Sequence, residues 1–113
     1  MNIKVNETQL LDTRGRTTVS YSVVELDKKY ADGSLTPKQV IGECLDSIEA
    51  LDPVVGAWQA VYAEEARAAA EIATADIASG RRKGPFHGVP FALKDIVEVE
   101  GKLTAAGCAE WKD

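Results

Sequence analysis

Lys94 closes a short apolar run, Val89-Pro90-Phe91-Ala92-Leu93, and Asp95 follows it directly. A lysine amine acts as a general base only when it can shed its proton. At a reference pKa near 10.4, about one lysine in a few thousand is neutral at pH 7. Removal from water disfavours the ammonium, and a shift of roughly two to three units costs about 3–4 kcal/mol. A lysine shifted that far can take the proton of a hydroxyl nucleophile. The chemistry open to this chain turns on whether Lys94 is held half-dry.

If residues 89–94 are extended, their side chains alternate between two faces. Val89, Phe91 and Leu93 then point one way, and Pro90, Ala92 and Lys94 the other. Lys94 shares its face with two small residues, which leaves space for an approaching group. The run is apolar on both faces, the pattern of a strand buried between layers. Asp95 falls on the opposite face from Lys94 and is expected to bond backbone groups of the turn. Upstream, Gly84-Pro85-Phe86-His87-Gly88-Val89-Pro90 is rich in turn residues. Downstream, Ile96 to Glu100 alternates like a strand until Gly101, and Thr104-Ala105-Ala106-Gly107-Cys108 is small and loop-like.

Three helices are predicted ahead of this region. Ser22 and Glu25 have the spacing of a capping box, and Val23, Leu26 and Tyr30 form one apolar stripe. Asp32-Gly33 stops that helix. Thr36 suits the next N-cap and Pro37 the first turn, where a missing N–H is not needed. Val40, Ile41, Cys44, Leu45, Ile48 and Leu51 make its buried face, and Asp52-Pro53 is expected to end it. Val54 to Val61 has room for a short extended piece around Trp58. The third helix runs from about Tyr62 to Ser79, with Gly80 as its stop. Ala66, Ala69, Ala70, Ala73 and Ile77 share a face whose small side chains permit close approach. Residues 1–21 are read as a lead-in or arm, with Ile3, Val5, Leu10 and Leu11 its apolar positions and a turn at residues 13–16. Residues 22–113 are read as the N-terminal portion of a larger domain.

The 113 residues carry 45% hydrophobic and 27% charged side chains, the balance of a soluble globular protein. Net charge is -5, and no basic block exceeds Arg81-Arg82-Lys83, so neither nucleic acid nor an anionic membrane is an expected partner. No apolar run approaches the roughly 18 residues of a membrane helix, and no secretory leader is evident. Two distant cysteines make no disulfide framework, and a reduced cytoplasmic compartment is expected.

Other residues carry weaker signals. His87, the single histidine, sits between turns and reads as a hydrogen-bonding loop residue rather than a catalyst or metal ligand. The spacing from Gly84 to Lys94 does not match a phosphate-binding loop. Arg81 to Lys83 reads as a solvated patch where positive charge suits a helix end. Cys44 lies on an apolar helix face and reads as core.

The run Gly84 to Ile96, followed by Gly101 and Thr104-Ala105-Ala106-Gly107, resembles the first conserved block of the amidase signature family. Glu25-Leu26, Asp32-Gly33-Ser34-Leu35-Thr36, Leu51-Asp52-Pro53 and Ala57-Trp58 resemble that family's N-terminal helical region. The resemblance covers roughly residues 22–108, and its Gly-x-Pro-x-x-x-Lys-Asp core is specific in that company. Cys108 departs from the small hydroxyl or glycine expected there.

The resemblance implies an α/β fold: N-terminal helices plus the first strands of a mixed sheet. It implies a hydrolase of amide carbon–nitrogen bonds, with a small-molecule amide substrate and no cofactor or metal. In that family a lysine deprotonates a serine held by a cis peptide, which relays the proton from a second, nucleophilic serine. Lys94 matches the lysine. Both serines belong to a glycine- and serine-rich stretch absent from this sequence, and Ser20, Ser22, Ser34, Ser47 and Ser79 do not match them. The chain alone is therefore expected to be inactive, and to associate with itself or with a missing C-terminal part. An amidotransferase subunit releasing ammonia from glutamine and a small non-catalytic helical interaction module are the alternatives.

Overall fold

The computed structural model describes residues 20–108 and residue 110. Three helices follow in order: α1 (Val23–Asp32), α2 (Pro37–Val55) and α3 (Ala63–Ala78). The arm expected over residues 1–21 falls, but for its last two positions, outside the described residues.

The predicted capping box forms at α1, and the predicted N-cap Thr36 forms a second box at α2. The Ser22 hydroxyl accepts from the Glu25 amide at 3.2 Å while Ser22 N donates to Glu25 Oε2 at 2.7 Å. The Ser22 bonds hold the Glu25 carboxyl below its usual range. At α2, Thr36 Oγ1 accepts from the Gln39 amide and Thr36 N donates to Gln39 Oε1. Each box satisfies amides that have no partner inside the helix.

The end of α2 differs from the prediction. The helix continues through Pro53 to Val55, and Gly56 terminates it in the left-handed conformation at φ 61°. Proline disfavours helical geometry before it without forbidding it. Here Asp52 stays helical and its carboxylate reaches forward, accepting from Ala57 N at 2.7 Å and Trp58 N at 3.1 Å. The stop is thus a carboxylate and a glycine one turn later. Trp58 sits in irregular, exposed chain.

Helix α3 has no side-chain N-cap; Glu64 and Glu65 in its first turn complement the positive end of the helix. It packs against α2 as an antiparallel pair, the main helix–helix contact among the described residues. Ala70 and Ala73 are buried there, as their small size allows, whereas Ala69 is exposed. Lys38 N donates to Thr74 Oγ1 at 3.1 Å, and Lys38 Nζ pairs with Glu71 at 2.6 Å.

The core joins all three helices to the loop beyond them. Leu26, Tyr30 and Val40 are buried together, with Tyr21, Leu35, Cys44, Ile77 and Val89 packed around them. Val23, expected on the α1 stripe, is exposed at the helix edge. Cys44 is core as predicted, and burial raises its thiol pKa with help from Glu43. Gly88 meets this core at its tightest point: a Cβ there would lie 2.4 Å from Pro37 Cγ, and its φ is 84°. Tyr30 donates its hydroxyl to the Gly88 carbonyl at 3.1 Å.

No strand is present among the described residues, so the helices expected of an α/β fold appear without the strands predicted at 89–94 and 96–100. Residues 89–94 are irregular, and residues 95–97 and 100–102 turn. A strand needs a neighbour to bond, and neither segment finds one within the described chain. No helix of the described residues is long and apolar enough to cross a membrane.

Replacing Gly88 by Ala should cost about 1–3 kcal/mol through overpacking against Pro37, read as a lower denaturant midpoint. Burial, followed by Cys44, Glu43 and Tyr21, pushes the Tyr30 pKa up to about 12. The unfolded chain ionises this phenol near 10, so it binds fewer protons than the folded chain between the two values. Stability should therefore fall as pH rises from about 10 through about 12, and Tyr30→Phe should flatten that slope in denaturation curves taken across the window.

Candidate active site

The segment bearing Lys94 leaves α3 through a charged corner. Arg81 grips Asp76 through Nη2 at 2.9 Å and Nε at 3.2 Å, and Lys83 Nζ lies 3.6 Å from the other carboxylate oxygen. The Arg81 hydrogen bond holds the Asp76 carboxyl below its usual range. Arg82 pairs with Asp27 of α1 and is only partly exposed. Arg81 and Lys83 stay solvated as the sequence suggested while pairing with Asp76, and only Arg82 is partly covered. His87 accepts from Lys83 N through Nδ1 at 3.1 Å, with Nε2 4.0 Å from Asp76. It is the hydrogen-bonding loop residue expected. Among the described residues no group of three or more His, Cys, Asp or Glu is arranged to hold a metal.

Two turns then fold residues 84–89 back onto the core, with His87 N bonded to Gly84 O and Val89 N to Phe86 O. Gly88 docks under Tyr30 and Pro37. From there the chain runs outward. Pro90 is half-buried, while Phe91, Ala92, Leu93 and Lys94 are all exposed, Phe91 to 83%.

The structure corrects the expected environment of Lys94. The side chain is exposed, and among the described residues it makes no ion pair or hydrogen bond. Among the described residues, no layer covers residues 91–94. The two best-formed depressions lie elsewhere and are shallow, one lined by Glu98, Val99, Glu100, Lys102, Leu103 and Thr104 and the other by Val61 to Glu65.

Asp95 behaves as predicted. Its Oδ1 accepts from Ala105 N at 3.1 Å and its carbonyl from Ala106 N at 2.9 Å. The Lys94 carbonyl accepts from Val97 N at 2.9 Å. Lys102 ties the following loop to α3 by pairing with Glu65 and lying 3.9 Å from the Tyr62 ring centroid. The sequence reading missed three contacts: Tyr30 with Gly88, Arg82 with Asp27, and Lys102 with Glu65 and Tyr62. The first had a signal, because a tyrosine on an apolar stripe needs a partner for its hydroxyl once buried.

Residues 39–113, which include the Gly88–Asp95 segment, match the Amidase family. The chain belongs to the amidase family. It is 34% identical over 85 residues to an amidase of Pseudomonas putida, covering 75% of this chain and 18% of that one. It is 40% identical over 86 residues to a glutamyl-tRNA(Gln) amidotransferase subunit of Acidothermus cellulolyticus, covering 76% and 17%. This amidase-family chain thus spans less than a fifth of the length of these relatives. No solved structure matches it.

The open setting of Lys94 has a direct chemical readout. Under limiting acylation by an amine-reactive ester, Lys94 should be modified several-fold faster than Lys102, whose ammonium is engaged by Glu65 and the Tyr62 ring. Peptide mass spectrometry over time measures both rates.

Proposed function

We propose that this chain is the lysine-bearing part of an enzyme that hydrolyses amide carbon–nitrogen bonds. Lys94 is the general base of a Ser-cisSer-Lys triad whose two serines lie outside this sequence. The observation that carries the reading is the family match running through Lys94 itself, together with a fold that anchors the chain six residues before it, at Gly88. In this mechanism the neutral amine removes a proton from the bridging serine. That serine takes the proton of the nucleophile, which attacks the amide carbonyl. Water then cleaves the acyl-enzyme.

The uncovered apolar run supports a second part of the proposal. Phe86, Phe91, Leu93 and Ile96 are exposed, and residues 91–93 have no backbone partner among the described residues. Such an edge binds another strand. We assign it to the mixed sheet of the α/β amidase fold, whose further layers would cover Lys94 and dry it. In their absence, a second copy of the chain is the competing occupant. The ligand is a small-molecule amide, no nucleic acid or membrane is a partner, and the two free cysteines suit a reducing, cytoplasmic setting.

The 40% identity to the amidotransferase subunit favours one alternative substrate. In that reading the amide is glutamine and the product ammonia.

Co-expression with the C-terminal part of the Pseudomonas putida amidase provides the test. The two pieces should copurify and release ammonia from simple amides, and Lys94→Ala should lower the rate about 10²–10⁴-fold, the usual worth of a general base. Restored hydrolysis that survives Lys94→Ala would defeat the assignment. Ammonia release from glutamine alone would select the amidotransferase reading.

A further inference from the structure

Lys94 lies between two fixed points of unequal value. Upstream, Gly88 is clamped by Tyr30 and Pro37, but it stands six residues from Lys94. Small backbone rotations over that length move the lysine by several ångströms. Downstream, the anchor is the adjacent residue.

Asp95 makes that anchor with two separate acceptors. Its side-chain Oδ1 takes the Ala105 amide at 3.1 Å, and its carbonyl takes the Ala106 amide at 2.9 Å. Its other carboxylate oxygen is buried and takes no hydrogen bond among the described residues, so Oδ1 alone orients the group. The loop it grips is itself closed: Cys108 N bonds to Ala105 O at 2.7 Å, and Thr104 Oγ1 reaches Val97 O at 3.4 Å. Ala105 is buried, and Ala106 is held at φ 48°, a left-handed conformation that a residue with a Cβ adopts only when its surroundings impose it. The Lys94 carbonyl, bonded to Val97 N at 2.9 Å, belongs to the same turn.

We infer that Asp95 is the positioning residue for Lys94, acting as an acceptor that staples the turn at residues 94–97 to the loop at 104–108. The inference rests on Lys94 being the base proposed above, and it concerns geometry rather than charge. The carboxylate is needed for its oxygen, so an amide of the same shape serves in its place.

The test uses the full chain, ¹⁵N-labelled, as wild type, Asp95→Ala and Asp95→Asn. Asp95→Ala should speed amide exchange at Ala105 at least tenfold and lower the backbone order of Lys94, with helical circular dichroism unchanged. Asp95→Asn should keep both close to wild type. Unaltered Lys94 order in Asp95→Ala would overturn the assignment. Equal loss of helical signal in both variants would also overturn it, by making Asp95 a general support of the fold. Whether Lys94 is the base is judged separately by the hydrolysis assay, so either reading can fail without the other.

Discussion

The close approach of Gly88 to Pro37 beneath the Tyr30 hydroxyl is the constraint on which the rest of this chain depends. A glycine is required twice over, by the 2.4 Å that a Cβ would leave to Pro37 and by the positive φ. The Tyr30 hydroxyl satisfies the exposed carbonyl of that same residue, so the buried phenol and the turn settle each other's polar groups. Pro37 serves in two roles here. It opens α2, and its buried ring is the floor on which the loop rests. Without this contact, Val89 would lose its place against the core.

The functional side of the molecule reverses this economy of packing. Residues 84–89 are folded back against the helices, and residues 91–94 beyond them are irregular and exposed. General-base chemistry at Lys94 needs several kcal/mol of desolvation, and the described residues place no atoms over it to provide them. In the proposed mechanism the Asp95 turn positions the amine, and the described residues leave that side chain exposed.

Much of the helical architecture was legible in the sequence, because caps and apolar spacing are local. Ser22 with Glu25, Thr36 as an N-cap, and the Leu26–Tyr30 and Val40–Leu45 stripes depend on neighbours within one or two turns. The end of α2 was misplaced because Pro53 carries a strong local signal that the Asp52 carboxylate offsets by reaching forward. The strand predicted at residues 89–94 does not form among the described residues, since alternation specifies faces and says nothing of who lies alongside. Asp95 bonds backbone groups as its place in the sequence suggested, but the exposure of Lys94 was not readable. Burial is a property of the surroundings, and an apolar run announces only that it would prefer some. Arg82 illustrates the same limit, since its partner Asp27 lies 55 positions earlier.

The α2–α3 pair has a consequence for the order in which this chain acquires structure. Every partner that the pair needs lies between Pro37 and Ala78, so its contacts close short loops at little entropic cost. The hairpin's own contacts can therefore close before Gly88 docks. Helix α1, made first, must wait: its tyrosine finds its carbonyl only after 58 further residues have appeared. The earliest-made helix is accordingly the last to be locked, and the lysine-bearing segment is what locks it.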